Sequence, residues 1–259
     1  PPDPIAGGRS PARRPACADI RHQRAPSRAL RVMSLPLMLF AAGFGTRMGA
    51  LTATRPKPLI EVAGRPLIDH ALDLVTAHGA APVVVNLHYL PDQLARHLAG
   101  RDIRLSHETP EILETGGGLR AALPLLGPGP VFTMNTDAVW RGPNPLDHLA
   151  ALWRPAEMDA LLLCIPRAQA VGHSGAGDFQ IAPDGRATRG AGSVYSGLQI
   201  VKPDLLQTIP ERAFSLNRLW DMMLADGRLH AADYPGQWCD VGRPEGIALA
   251  ETLLAAPDV

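Results

Sequence analysis

From Leu35 onward the chain alternates short apolar runs with longer stretches of helical periodicity, and this rhythm narrows its possible folds more than any other feature. The strand candidates are Leu35–Ala41, Pro82–Leu87, Ile103–His107, Val131–Asn135, Asp159–Ile165 and Ser193–Val201. Helical stretches at Pro66–His78, Pro91–Leu98 and Thr115–Leu123 lie between the early ones. Strand, helix, strand repeats of this kind predict an α/β fold: an open, mostly parallel sheet with right-handed crossovers and helices covering both faces. Such a sheet places its ligand crevice at the carboxyl ends of the strands.

After about residue 166 the pattern becomes irregular, with a loop at Gly172–Gly177 and a hairpin of Phe179–Ile181 and Ala187–Arg189 around Pro183-Asp184-Gly185-Arg186. Leu216–Ala225 and Pro244–Leu254 read as closing helices, and this later half is expected to wall a second substrate. Residues 1–34 differ, with seven arginines, six prolines and little apolar periodicity. They read as a disordered or upstream extension that is idle in function, without the apolar core of a secretory signal. The organisation expected is therefore 1–34 as extension and 35–259 as one domain, divided at about residue 150 into two halves.

Composition removes several classes of function. Twenty-five Lys+Arg balance 25 Asp+Glu, so the bulk charge suits neither a nucleic-acid partner nor an acidic tail. With 46% apolar and 19% charged residues the chain is globular in balance. The longest apolar runs, Leu35–Ala42 and Ala160–Ile165, fall short of the roughly 18 to 20 residues needed to cross a bilayer, so no membrane partner is expected. Three scattered cysteines, Cys17, Cys164 and Cys239, suggest a reducing compartment, the cytoplasm. Only Lys57 and Lys202 are lysines, and in a chain that otherwise uses arginine this marks Lys57 as a position wanting a compact ammonium.

The first strand runs into Ala41-Ala42-Gly43-Phe44-Gly45-Thr46-Arg47-Met48-Gly49. Small residues let backbone amides approach phosphate oxygens closely. The third glycine comes one residue late for a GxGxxG dinucleotide loop, and no GK[ST] ending makes a P-loop. Arg47 and Lys57, the latter in Arg55-Pro56-Lys57-Pro58-Leu59, are positioned to converge on one polyphosphate and neutralise a departing pyrophosphate. The apolar run that begins with the strand Val131–Asn135 ends in Asp137 at the same sheet edge, and Asp240 stands before the closing helix. Singly each acid suits a turn or a cap; together beside a phosphate loop they suit Mg²⁺, which takes one or two carboxylates plus phosphate oxygens.

Taken together, Ala41-Ala42-Gly43-x-Gly45-Thr46-Arg47-Met48, Arg55-Pro56-Lys57-Pro58-Leu59, Asn135-Thr136-Asp137 and Trp238-x-Asp240-Val241-Gly242 resemble the sugar-1-phosphate nucleotidyltransferase family. The resemblance runs from near Leu35 to the end of the chain. It implies a Rossmann-like, GT-A-like sheet and the Mg²⁺-dependent joining of a nucleoside triphosphate to a sugar 1-phosphate, with release of pyrophosphate. Leu113-Glu114-Thr115-Gly116-Gly117-Gly118, Gly175-x-Gly177-Asp178-Phe179 and Tyr195-Ser196-Gly197 resemble the branch that transfers a uridylyl group from UTP to N-acetylmuramate α-1-phosphate in peptidoglycan recycling.

By that resemblance Ala41, Ala42 and Gly43 contact the nucleoside, while Gly45, Thr46, Arg47 and Lys57 hold the triphosphate. Asp137 and Asp240 hold the metal, with Arg47, Lys57 and Asp137 as the catalytic set. Glu108, Glu114, Thr115, Gly116 and Gly117 read base and ribose, and residues 35–150 form the nucleotide-binding half. Asn135 touches both substrates, and Asp178, Ser196 and Gly197 lie near the sugar in the half formed by 151–259. The family's usual Asn-Gly-Asp stands here as Asn135-Thr136-Asp137, which puts a β-branched side chain where glycine leaves room.

No nucleophile and base pair occurs in these motifs, so the expected mechanism is direct in-line attack by a sugar-phosphate oxygen on the α-phosphorus, driven by positioning and charge neutralisation. Guanylyl transfer to mannose 1-phosphate and thymidylyl transfer to glucose 1-phosphate are the nearest alternatives. A non-catalytic nucleotide-sensing subunit is a third, and transfer to a molybdenum cofactor precursor or a methylerythritol phosphate a fourth. His88, His107 and His173 lack ligand spacing. Trp140, Trp220 and Trp238 are expected in the core, and Cys239 as a small buried filler.

Overall fold

A computed structural model of the protein describes residues 34–256. The expected extension, apart from Ser34, lies outside the described residues. The first strand, β1 (Leu37–Phe40), is followed by a 3-10 segment, Thr46–Thr52, and a small hairpin of β2 (Glu61–Val62) and β3 (Arg65–Pro66). Then come α1 (Leu67–His78), β4 (Val83–Leu87), α2 (Pro91–Leu98), β5 (Ile103–His107) and α3 (Glu114–Leu126). The chain continues through β6 (Val131–Asn135), β7 (Ala138–Arg141), α4 (Pro145–Leu152) and β8 (Ala160–Ile165).

The later half adds β9 (Ala170–Val171), the hairpin β10 (Phe179–Ile181) and β11 (Ala187–Arg189), and β12 (Val194–Val201). It ends with α5 (Asn217–Ala225), β13 (Leu229–Asp233), β14 (Gln237–Asp240) and α6 (Glu245–Ala255).

Seven strands form the main sheet in the order β13-β8-β12-β6-β1-β4-β5. Every pairing in it is parallel except the two made by β12, so the mostly parallel sheet expected from the sequence is the one found. Period-two alternation sorts the strand residues between two cores. Leu37 and Leu39 pack with α1, α2 and α4, whereas Met38 packs with α3 and α5, so helices cover both faces. The central strands β1, β6, β8 and β12 are almost wholly buried because neither side meets water, whereas the edge strand β5 exposes Arg104 and His107.

The sequence reading missed a second, three-stranded sheet ordered β7-β14-β9. Its β14 carries Asp240, which the sequence placed just before the closing helix with no strand assigned to it, and which lies at the end of a strand. A third apolar cluster joins this sheet to α6 and to the first loop: Met48, Val139, Cys239, Val241 and Leu253 are all buried in it. Cys239 is thus a buried filler whose neighbours hold the loop and Asp240 against one support.

Candidate active site

The carboxyl ends of β1, β4 and β6 open into a crevice of about 290 Å³. Phe40, Ala41, Ala42, Gly43, Gly45, Thr46, Arg47, Lys57 and Pro58 form one wall, Asn86, Glu108, Ile112, Glu114 and Thr115 another, and Asn135, Thr136, Asp137 and Gly242 close it. Gly45 has φ +65°, and a Cβ there would come within 2.9 Å of the Lys57 Cβ, so only glycine lets the loop turn this tightly over the lysine. Among the described residues the N–H groups of Gly43, Phe44 and Gly45 have no protein partner. Arg47 is exposed and makes no ion pair or hydrogen bond there. The loop therefore presents unused donors and one unused guanidinium, the equipment for phosphate oxygens.

A buried polar chain fixes that loop. The Ala41 N–H donates to Asn86 Oδ1 at 2.7 Å, Asn86 Nδ2 donates to Glu108 Oε1 at 2.7 Å, and Glu108 Oε2 accepts from the Leu113 N–H at 2.7 Å. Asn86 is 3% exposed and Glu108 1%. Glu108, expected to read the nucleotide, thus spends both carboxylate oxygens tying β4 and β5 to the start of α3. Sequence reasoning missed Asn86; its signal was one amide near the carboxyl end of the otherwise apolar strand Val83–Leu87.

Lys57 Nζ lies 2.7 Å from Asp137 Oδ2. Asp240 sits on the neighbouring ladder, opposite Ala138, and the Val241 N–H donates to the Asp137 carbonyl at 2.8 Å. Burial raises the Asp240 carboxyl above its ordinary value, and the negative charge of Asp137 raises it further, while Lys57, Arg47 and His173 pull it down. Gly242 makes room for this carboxylate, since a Cβ there would meet Asp240 Oδ2 at 2.8 Å. Among the described residues no group of three or more acids, histidines or cysteines could hold a metal. Two neighbouring carboxylates, with the charge of Asp137 opposing ionisation of Asp240, fit a hard cation whose remaining ligands are phosphate oxygens and water, which is how Mg²⁺ is held in nucleotide enzymes. The residues present therefore fit Mg²⁺.

Thr136 accommodates its side chain without filling the crevice. It is 4% exposed, and its hydroxyl donates to the Phe40 carbonyl at 2.9 Å, bracing β6 against β1.

A second cavity of about 280 Å³ adjoins the first and shares Phe40, Thr115 and Asn135 with it. Asp178, Arg189, Tyr195, Asn217 and Trp220 are among its walls. Trp220 packs edge-on against Tyr195 with centroids 4.9 Å apart and donates from Nε1 to Gln199 Oε1 at 2.9 Å. Gln199 is fully buried and donates in turn to Thr133 Oγ1 at 3.0 Å, so the wall is pinned from beneath. Burial pushes the Tyr195 hydroxyl far above the usual tyrosine range.

The other residues singled out earlier lie elsewhere. Gly116 and Gly117 line neither cavity: both N–H groups donate to the Phe214 carbonyl, at 2.8 and 3.1 Å, and Cβ atoms there would strike Phe214 and the Arg212 carbonyl. They are glycines for close packing of α3 on the 212–214 segment. Ser196 is buried with its hydroxyl on the Leu163 carbonyl at 2.6 Å. Gly197 has φ +89° and yields space to Asn135, which a Cβ would meet at 2.9 Å. Both serve the wall from behind. Lys202 pairs with Asp159 at 2.8 Å.

These features define a nucleotide-handling transferase crevice, and the comparisons agree. The chain belongs to the family of MobA-like NTP transferase domains, whose profile matches residues 37–173. It is 40% identical to the N-acetylmuramate alpha-1-phosphate uridylyltransferase of Caulobacter vibrioides over 84% of this chain and 96% of that protein. The Neisseria meningitidis serogroup B protein of the same name is 32% identical over 85% of this chain and 98% of its own length. In fold it matches HddC from Yersinia pseudotuberculosis, solved in complex with GMP-PN, with a TM-score of 0.68 at 18% identity over 84% of this chain and 98% of that one.

Proposed function

We propose that the protein is a Mg²⁺-dependent uridylyltransferase that joins UTP to N-acetylmuramate α-1-phosphate, yielding UDP-N-acetylmuramate and pyrophosphate. The observation that carries this reading is the convergence of unused loop donors, Arg47 and the Lys57–Asp137 pair on one crevice, with the Asp240 carboxyl close enough behind it to interact with all three charges, beside a second cavity that meets it at Asn135. The 40% identity to a uridylyltransferase supports the choice of substrates. Residues 35–150 are taken as the nucleotide half and 151–259 as the sugar-phosphate half.

In this reading an acceptor phosphate oxygen attacks the α-phosphorus and the bond to the β-phosphate oxygen breaks, so pyrophosphate leaves with the electron pair. Among the described residues no cysteine or histidine lines the crevice, the hydroxyls of Thr115 and Thr136 are engaged with Leu216 and Phe40, and the third hydroxyl, that of Thr46, has no base hydrogen-bonded to it. Positioning and charge neutralisation therefore supply the rate. The 43–47 loop and Arg47 hold the triphosphate, and Lys57, already oriented by Asp137, meets the charge that builds on the leaving pyrophosphate. Mg²⁺ on Asp137 and Asp240 would supply further neutralisation of the phosphates.

The reaction belongs to cell-wall recycling in the cytoplasm, where nucleoside triphosphate is at hand. Incubation with UTP, N-acetylmuramate α-1-phosphate and Mg²⁺ should give UDP-N-acetylmuramate by mass spectrometry, and a chelator should stop it. Product formed equally well in excess chelator would remove the metal from the reading, and no product at all would remove the reading itself.

A further inference from the structure

The second cavity carries charge that in-line transfer does not require. Among the described residues that line it, Arg189 holds the one positive charge and Asp178 the one negative charge. Asp178 is partly committed, its Oδ2 accepting the Tyr195 N–H at 2.8 Å. Arg189 reaches the cavity from β11 across the Phe179 ring, 5.5 Å from its centroid. Its Nε and Nη2 donate to Asp221 Oδ1 at 2.9 and 2.7 Å, and Nη2 donates to Asn217 Oδ1 at 3.0 Å. Its Nη1 has no hydrogen bond among the described residues, so the guanidinium is oriented yet keeps unused donors.

A neutral hexose 1-phosphate brings one anionic group, and that group must sit at the reacting centre, where the two cavities meet at Asn135. It leaves the free donors of Arg189 on the acceptor side without an anionic ligand. A muramyl acceptor brings a second anion, the carboxylate of its lactyl ether. We infer that Arg189 binds this carboxylate and so selects an acidic amino sugar 1-phosphate over the otherwise identical N-acetylglucosamine 1-phosphate; the inference rests on the uridylyl reading above.

The chemistry suits the residue. Guanidinium donors match carboxylate oxygens in geometry and keep their charge at any working pH. The Asp221 carboxylate that holds Arg189 is 58% exposed, and exposed pairs are weak, so it orients the side chain without saturating it. A hydrogen bond to a charged group in a partly open cavity corresponds to a change of about 10- to 100-fold in affinity.

The test compares wild type, Arg189→Gln, Arg189→Lys and Asp221→Asn by pyrophosphate release with UTP and either N-acetylmuramate or N-acetylglucosamine 1-phosphate. Wild type should favour the muramate compound. Arg189→Gln should raise its KM about 10- to 100-fold with little change in kcat or in the KM for UTP, and so flatten the preference; Arg189→Lys should recover part of it. Asp221→Asn, which removes the partner's negative charge while keeping an acceptor oxygen for Arg189 and the Asn217 bond, should hold the muramate KM within about threefold.

If Asp221→Asn reproduces the Arg189→Gln loss, the role is merely structural and the inference falls. If wild type uses the muramate compound and Arg189→Gln does too with unchanged KM, the inference falls while the uridylyl reading stands. If wild type uses only neutral sugar phosphates, or none, both fall.

Discussion

At the residue scale, side chains that never touch a substrate decide the shape of the crevice. Asn86 satisfies a loop N–H on one side and Glu108 on the other, at 1–3% exposure. Asn86→Ala would leave a buried amide and part of a buried carboxylate unpaired, which costs about 3 kcal/mol in urea unfolding and should also raise the KM for UTP. Lys57→Ala removes the ammonium from the departing pyrophosphate and is expected to lower kcat about 10²- to 10³-fold in steady-state turnover, with a smaller change in KM. Residues defined by charge or by an unusual residue type, such as Arg47, Lys57 and Asp137, were legible in the sequence because their chemistry is rare there. Structural ties for Glu108, Gly116 and Ser196 were not legible there, because whether a carboxylate, a glycine or a hydroxyl also meets a neighbouring backbone group depends on contacts with segments distant in the chain.

At the element scale, one carboxylate clamps three strand ends. Asp159, just before β8, takes Arg228 Nε at 2.7 Å and Nη2 at 3.0 Å from before β13, and Lys202 Nζ at 2.8 Å from beyond β12. The Arg228 hydrogen bonds, and then Lys202, hold the Asp159 carboxyl below the usual carboxylate range against the opposing effect of burial. A carboxyl whose folded value is depressed stabilises the fold above its unfolded value and loses that contribution as pH falls through the folded one. Asp159→Asn should therefore cost about 1 kcal/mol in thermal or urea unfolding at neutral pH, a modest figure because water reaches the clamp. The gap between variant and wild type should stay constant from about pH 8 to pH 5 and close below about pH 4. A gap that widened in acid would contradict the sign.

The elements themselves were largely legible. Ile103–His107, Pro91–Leu98 and Val131–Asn135 match the expected bounds, since alternating or apolar runs and a helix opened by proline announce themselves locally. The strands β7, β13 and β14 were not. Their short runs, AVWR, LHAAD and QWCD, carry no alternation, and they become strands only by pairing across about a hundred residues, or across some seventy for β13.

At the scale of the whole molecule, the crevice draws its lining from Phe40 to Gly242 and the second cavity from Phe40 to Trp220. Removing residues 1–33 should leave kcat/KM within about threefold, because every described lining residue of both cavities is kept. UTP with Mg²⁺ at about 100 times Kd should stabilise the folded chain by about 2.7 kcal/mol, read as a rise in Tm. Placement of the crevice followed from topology, since β1 and β6 are adjacent, parallel, and end at the same edge. The most direct test of the account is pyrophosphate release with Mg²⁺ across UTP, dTTP, GTP and CTP against N-acetylmuramate, N-acetylglucosamine, glucose and mannose 1-phosphates. The account predicts that UTP with N-acetylmuramate 1-phosphate exceeds every other pair at least about tenfold. A higher rate with GTP and mannose 1-phosphate, or with dTTP and glucose 1-phosphate, would contradict it.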